Sequence, residues 1–170
     1  MKDFSSRSIA LTGTLISLAL VFSYVEALIP VFAAIPGFKV GLANIAVVFA
    51  LYNLGFKKTL EISLIRVVLS TLLFSNALSF IYSLSAAVVS LIVMGLMKKS
   101  GLFSSLGVSV LGAVTHNLVQ LMVAILFFNT KELIYLVPFY VFSGTVAGVI
   151  IGLISVLIIE RTKGMGYESI

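Results

Sequence analysis

The chain has no cysteine, no tryptophan, one histidine and three prolines, and its single aspartate is Asp3. Without cysteine there are no disulfides, zinc–thiolate sites, iron–sulfur clusters or thiol nucleophiles. One aspartate cannot build an Asp-rich, Mg2+-binding site for a diphosphate. One histidine and few acids cannot furnish a Ser-His-Asp triad or a His/carboxylate metal set. No Walker A sequence is present, so ATP is not hydrolysed at a P-loop. The sequence therefore predicts no enzyme, no metal and no cofactor. Charge is scarce as well: 10% of the 170 residues are charged, against about 25% in a soluble domain. A net charge of +5 without a basic polar surface predicts no nucleic-acid partner.

Apolar residues fill the space instead. They make up 61% of the chain, with a mean hydropathy of +1.23. Crossing a bilayer takes about 20 apolar residues per helix, so the length allows about six crossings and little else. The fold class expected is all-α: a polytopic six-helix bundle in a lipid bilayer, with residues 1–170 as one integral membrane domain. The apolar runs are 8–29, 40–56, 59–74, 77–97, 104–128 and 134–159. Lys2 and Arg7 ahead of the first run resemble a signal peptide, but that run is too long for a typical signal core, so it is read as a retained helix. With the N-terminus inside, inner segments carry Lys2, Arg7, Lys57, Lys58, Lys98, Lys99, Arg161 and Lys163, while outer ones carry only Lys39 and Lys131. The positive-inside rule then places both termini in the cytoplasm, which requires an even number of spans.

Ionisable and amide groups at membrane depth are costly and mark candidate sites. Arg66 lies near the middle of the third run, Glu26 near the outer end of the first and Asn44 in the outer half of the second. His116, Asn117 and Gln120 share one helical face in the fifth run, because residues three and four apart are neighbours on a helix. That face either holds a polar ligand or bonds helix to helix. Arg66 either pairs with Glu26 or meets a ligand anion. Tyr140, with Tyr135, Pro138 and Phe139, either walls the same pocket or belongs to an interfacial belt.

Small residues form two stripes. Gly144, Gly148 and Gly152 run down the sixth span and read as close packing within the bundle. Ala10, Gly13, Thr14 and Ser17 on the first span form a second small-residue face, open to a partner subunit. Between the first two spans, 30–39 is apolar yet broken by Pro30, Pro36 and Gly37. It reads as an ordinary turn or as a lid with Gly37 as its hinge, since irregular backbone is tolerated where it packs on protein or lines a cavity.

The segment from Pro36 through Lys39 to Asn44, the stretch from Lys57-Lys58 to Arg66, and Gly112 to Gln120 with His116-Asn117 are similar to a family labelled heptaprenyl diphosphate synthase component I, or Gx transporter. The whole also resembles the substrate-binding S component of energy-coupling factor (ECF) vitamin transporters. The S-component likeness implies a bacterial plasma-membrane bundle that binds a small vitamin-like molecule. It implies docking on a membrane T subunit and two ATPase subunits through Ala10, Gly13, Thr14 and Ser17. It also implies a ligand site of Asn44, Arg66, His116, Asn117, Gln120 and Tyr140 beneath a lid containing Pro36 and Gly37. The synthase label implies instead a non-catalytic membrane accessory subunit of polyprenyl diphosphate synthesis. A proton-driven transporter using His116 or the Glu26–Arg66 pair is the third expectation.

Overall fold

A computed structural model describes residues 6–29 and 41–162. The described residues form six α-helices and no strand. They are α1 (Ser6–Ala27), α2 (Asn44–Asn53), α3 (Phe56–Phe74), α4 (Ala77–Ser100), α5 (Ser105–Phe128) and α6 (Val137–Thr162), with a 3-10 helix (Lys131–Leu136) ahead of α6. Four stretches are long and apolar enough to cross a membrane: Ser8–Ala27, Ala77–Ser100, Ser105–Phe128 and Lys131–Thr162.

Local chemistry explains the boundaries. Asn76 caps α4 by accepting from the Ser79 N–H at 2.9 Å, and Ser104 caps α5 by accepting from the Gly107 N–H at 3.2 Å. Gly101 ends α4 in the left-handed region that favours glycine. Several hydroxyls inside the apolar runs are satisfied within their own helix. Thr12, Thr14 and Ser17 donate to the carbonyls of Ser8, Ala10 and Gly13 at 2.8–2.9 Å, so α1 exposes no free hydroxyl proton there. α3 starts at Phe56 rather than at residue 59, because the turn is completed at Gly55 (φ +80°). Lys57 and Lys58 thus belong to its first turn. α4 likewise continues past residue 97 to Ser100, carrying Lys98 and Lys99 on its last turn.

The second expected span, 40–56, is corrected most. Its helix has only 10 residues. At 1.5 Å per residue it is about 15 Å long, half the hydrocarbon thickness of about 30 Å. Glycines at positive φ bracket it, Gly41 at +81° and Gly55 at +80°. Every residue from Ile45 to Leu51 is buried. A helix that is apolar all round belongs in a core, and α2 is the central post of this one. One side of α2 packs Ala43, Ala46, Phe49 and Ala50 against Leu15 and Ala19 of α1 and Ile62 of α3. Its other side packs Ile45, Val48 and Leu51 against Leu91 and Met94 of α4, Val108 of α5 and Ile151 of α6.

α5 and α6 are antiparallel and nearly touch. A Cβ added at Gly144 would lie 2.9 Å from the Val114 Cα, and one at Gly148 would lie 2.6 Å from the Val110 Cα. One at Gly152 would lie 2.7 Å from the Leu106 Cδ1. The glycine stripe therefore packs within the bundle. Between the same helices the buried Ser109 hydroxyl donates to the Gly148 carbonyl at 2.9 Å.

The fold also gathers the basic residues. Lys58 donates to Ser8 of α1. Phe56 of α3 lies against Gly95 of α4. Leu11, Leu54 and Ile159 share one cluster. The start of α1, the start of α3 and the ends of α4 and α6 thus form one lysine-rich end.

Candidate functional site: a polar layer inside the bundle

The buried face of α5 runs Ser109, Gly112, Ala113, His116, Asn117, Gln120, Leu121 and Ala124. Small residues occupy its first half and polar ones its second. Gly112 makes room for Met94 of α4, which sets the α4–α5 register and brings Ser90 opposite His116. The Ser90 Oγ lies 3.5 Å from the His116 Nδ1. On the other side, the Asn117 Nδ2 donates to the Ser143 Oγ at 3.4 Å and to the Tyr140 carbonyl at 3.5 Å. All three bonds are at the long limit and therefore weak.

Gln120 is the centre of the layer. It has no exposed surface, and neither its amide nitrogen nor its amide oxygen has a hydrogen-bond partner. The Tyr82 hydroxyl of α4 is buried and unpartnered too. An orphaned buried polar group costs about 1–3 kcal/mol. The layer therefore holds two side chains, Gln120 and Tyr82, whose buried polar atoms have no partner.

A second polar group sits between α1, α2 and α3. The buried Glu26 carboxylate accepts from the Gly41 N–H at 2.5 Å. Asn44 folds back over Gly41: a Cβ there would lie 2.8 Å from the Asn44 Nδ2. Arg66 is buried, feels the Glu26 charge, and has an unpartnered Nε. Glu26 therefore steadies the entry to α2, which its sequence position did not announce, and carries the charge opposite to that of Arg66. The structure thus brings His116, Asn117, Gln120 and Tyr140 together across α5 and α6, and sets Asn44 beside Gly41, whose N–H the Glu26 carboxylate holds. Pro36 and Gly37 lie outside the described residues.

Ala10, Gly13, Thr14 and Ser17 are all exposed on α1, and a Cβ at Gly13 would meet nothing within 4 Å. Among the described residues, no group of three His, Cys, Asp or Glu side chains could hold a metal ion.

Sequence reasoning missed Tyr82 and Ser90. With Ala86 they form a buried i, i+4, i+8 stripe on α4. Hydroxyls in membrane helices usually bond their own backbone, as on α1, so spacing alone does not mark those that point at a neighbour.

The family model for heptaprenyl diphosphate synthase component I matches residues 15–158, all but the two ends of the chain. No curated protein and no solved structure matches it. The family model spans α2 to α5 whole and most of α1 and α6, including the post α2 and the polar face of α5, and the chain belongs to the heptaprenyl diphosphate synthase component I family.

Proposed function

We propose that this chain is a non-catalytic membrane subunit of polyprenyl diphosphate synthesis, which holds a soluble prenyltransferase at the bilayer where its product belongs. The family match over residues 15–158 carries this reading. The sequence supports the non-catalytic part, since one aspartate cannot supply a metal-bound diphosphate site. In this reading the bundle lies in a bacterial plasma membrane with both termini inside, and α2 reaches only about half the height of the hydrocarbon layer. The lysine-rich end favours that orientation. The test is reconstitution in liposomes with a soluble prenyltransferase from the same cell. The enzyme should sediment with vesicles that contain this chain, and chain elongation should rise several-fold. An enzyme that stays in the supernatant at an unchanged rate would refute the reading.

A second reading is favoured by one observation, the orphaned amide of Gln120 inside the bundle. An S-component-like subunit would use such groups to bind a small heterocycle with an anionic group, Arg66 meeting the anion, and would dock through the exposed face of α1 on a T subunit served by two ATPases. Asn117→Leu and Gln120→Leu would then each abolish ligand capture. Gly13→Leu would remove docking while leaving the thermal midpoint unchanged, because the added side chain meets open space. Co-expression with the T subunit and the ATPases, followed by purification in mild detergent, separates the readings. A stoichiometric four-part complex favours the transporter.

A further inference from the structure

At the lysine-rich end lies a groove of about 410 Å3, formed where α3 begins and α4 ends. Its walls are Phe56, Ile92 and Leu96, with Gly95 beneath the Phe56 ring. Lys98 and Lys99 stand at its rim. The two lysines are not equivalent. Lys98 is fixed: its Nζ donates to the Leu51 carbonyl at the end of α2, at 2.7 Å, and lies 4.8 Å from the Tyr52 ring centroid. Lys99 is exposed. Lys57 directly follows Phe56 on the first turn of α3.

We propose that this groove is the docking site of a prenyl diphosphate, an assignment that rests on the accessory-subunit reading above. The chemistry is complementary at both ends. A single linear run of methyl-branched isoprene units lies against Phe56, Ile92 and Leu96, whose exposed faces are apolar. The diphosphate meets the ammonium of Lys99 beside the fixed charge of Lys98. The volume is within the range of small-molecule sites. The position is right for an amphiphile, because lysines at a helix end sit at headgroup level with apolar side chains one turn below. A phospholipid is the competing occupant, since basic residues at the inner surface attract anionic lipid generally. The groove favours the diphosphate because it offers one apolar trough beside two adjacent lysines. That suits a single chain with a multiply charged head better than two chains with a phosphodiester.

The test uses the purified full chain in nanodiscs and radiolabelled geranylgeranyl diphosphate as probe. Saturable binding is expected in phosphatidylcholine discs. Geranylgeraniol and inorganic diphosphate, each lacking one half of the probe, should compete at least about tenfold more weakly. Lys99→Glu and Leu96→Trp should each weaken binding about tenfold, the size of one charge-assisted contact, with unchanged thermal midpoints because both side chains are exposed. Equal competition by the alcohol, complete displacement by phosphatidylglycerol in the discs, or wild-type affinity in both variants would overturn the assignment. The two proposals fail separately. Stimulation of the prenyltransferase without probe binding removes the groove and leaves the accessory reading. Probe binding without stimulation removes that reading and leaves the groove as a prenyl diphosphate site.

Discussion

Replacing Gly148 by leucine is expected to leave little folded protein. The first added atom would lie 2.6 Å from the Val110 Cα, 3.1 Å from the Ala113 Cβ and 3.2 Å from the Ser109 carbonyl oxygen. Two of those three contacts are backbone, so no rotamer change relieves them and the helices themselves must separate. Separation also breaks the Ser109–Gly148 bond between buried groups. Overpacking costs about 1–3 kcal/mol where side chains can yield; with backbone in the way the loss should reach about 3 kcal/mol or more. Gly148→Ala should fall between leucine and wild type. Gly13→Leu is the control, carrying the same substitution on a glycine whose Cβ meets nothing. The check is the unfolding midpoint in a mixed-detergent titration. A wild-type midpoint for Gly148→Leu would mean that α5 and α6 do not pack as described.

Gln120→Leu should move two measurements in opposite directions. The amide is fully buried and both its polar atoms are unpartnered. Leucine has a similar size and nothing to satisfy. Removing an orphaned amide returns its desolvation penalty, in the range of about 1–3 kcal/mol. Polar side chains in membrane bundles differ less than that on average, near 0.6 kcal/mol, so a gain of about 1 kcal/mol in the ligand-free protein is expected. Asn117→Leu removes donors to the Tyr140 carbonyl and the Ser143 hydroxyl, so it should lack that gain. If the orphaned groups contact a ligand, Gln120→Leu also weakens its binding by about tenfold or more, since a contact to a charged or polar partner has a size of about 1.5–3 kcal/mol. A destabilised Gln120→Leu would show that the amide has a partner within the bundle, and its candidacy as a ligand contact would end.

The two substitutions mark two layers of one architecture. Toward the lysine-rich end, glycines and small residues bring α5 and α6 into contact around α2, and a small hydroxyl, that of the buried Ser155, is left without a hydrogen-bond partner. Toward the other half of α5, the same face turns to His116, Asn117 and Gln120, and the packing leaves weak or missing bonds. Evolution keeps unsatisfied polar groups at membrane depth only with a reason, because no water competes for them there. The groove at Phe56 and Lys99 is separate from this layer. It lies on the outer surface of α4, whereas the polar layer uses the buried stripe of Tyr82, Ala86 and Ser90.

Much of this was legible in the residues alone. Apolar runs of bilayer length located α1, α4, α5 and α6 within a few residues, because hydrophobic length is a property of consecutive positions. The glycine spacing at 144, 148 and 152 announced a close helix contact, since only a missing Cβ allows one at every fourth residue. The shared face of His116, Asn117 and Gln120 follows from helical periodicity, and the structure buries all three. The absence of cysteine and the single aspartate bounded the chemistry without any fold.

Other features required the tertiary structure. Residues 40–56 read as a short span, yet the helix is half that height, because glycines at positive φ stop it at both ends and local hydropathy does not register backbone angles. Its position as the central post depends on which helices pack around it, and a helix that is apolar on all sides carries no signal of its neighbours. Tyr82 and Ser90 entered the polar layer only through the α4–α5 register, which the fit of Met94 to Gly112 sets. The lysines of the groove were visible as charges of loops. Their alignment with an apolar trough needed Phe56 to fold against Gly95, a contact between residues 39 apart in sequence. Sequence by itself determined what is periodic and what is missing: a membrane-embedded, helical, cysteine-free chain with a polar face on its fifth run. Tertiary structure decided which of those faces meet and which polar atoms are left over, because helix register and side-chain complementarity are properties of pairs of segments and no single segment encodes them.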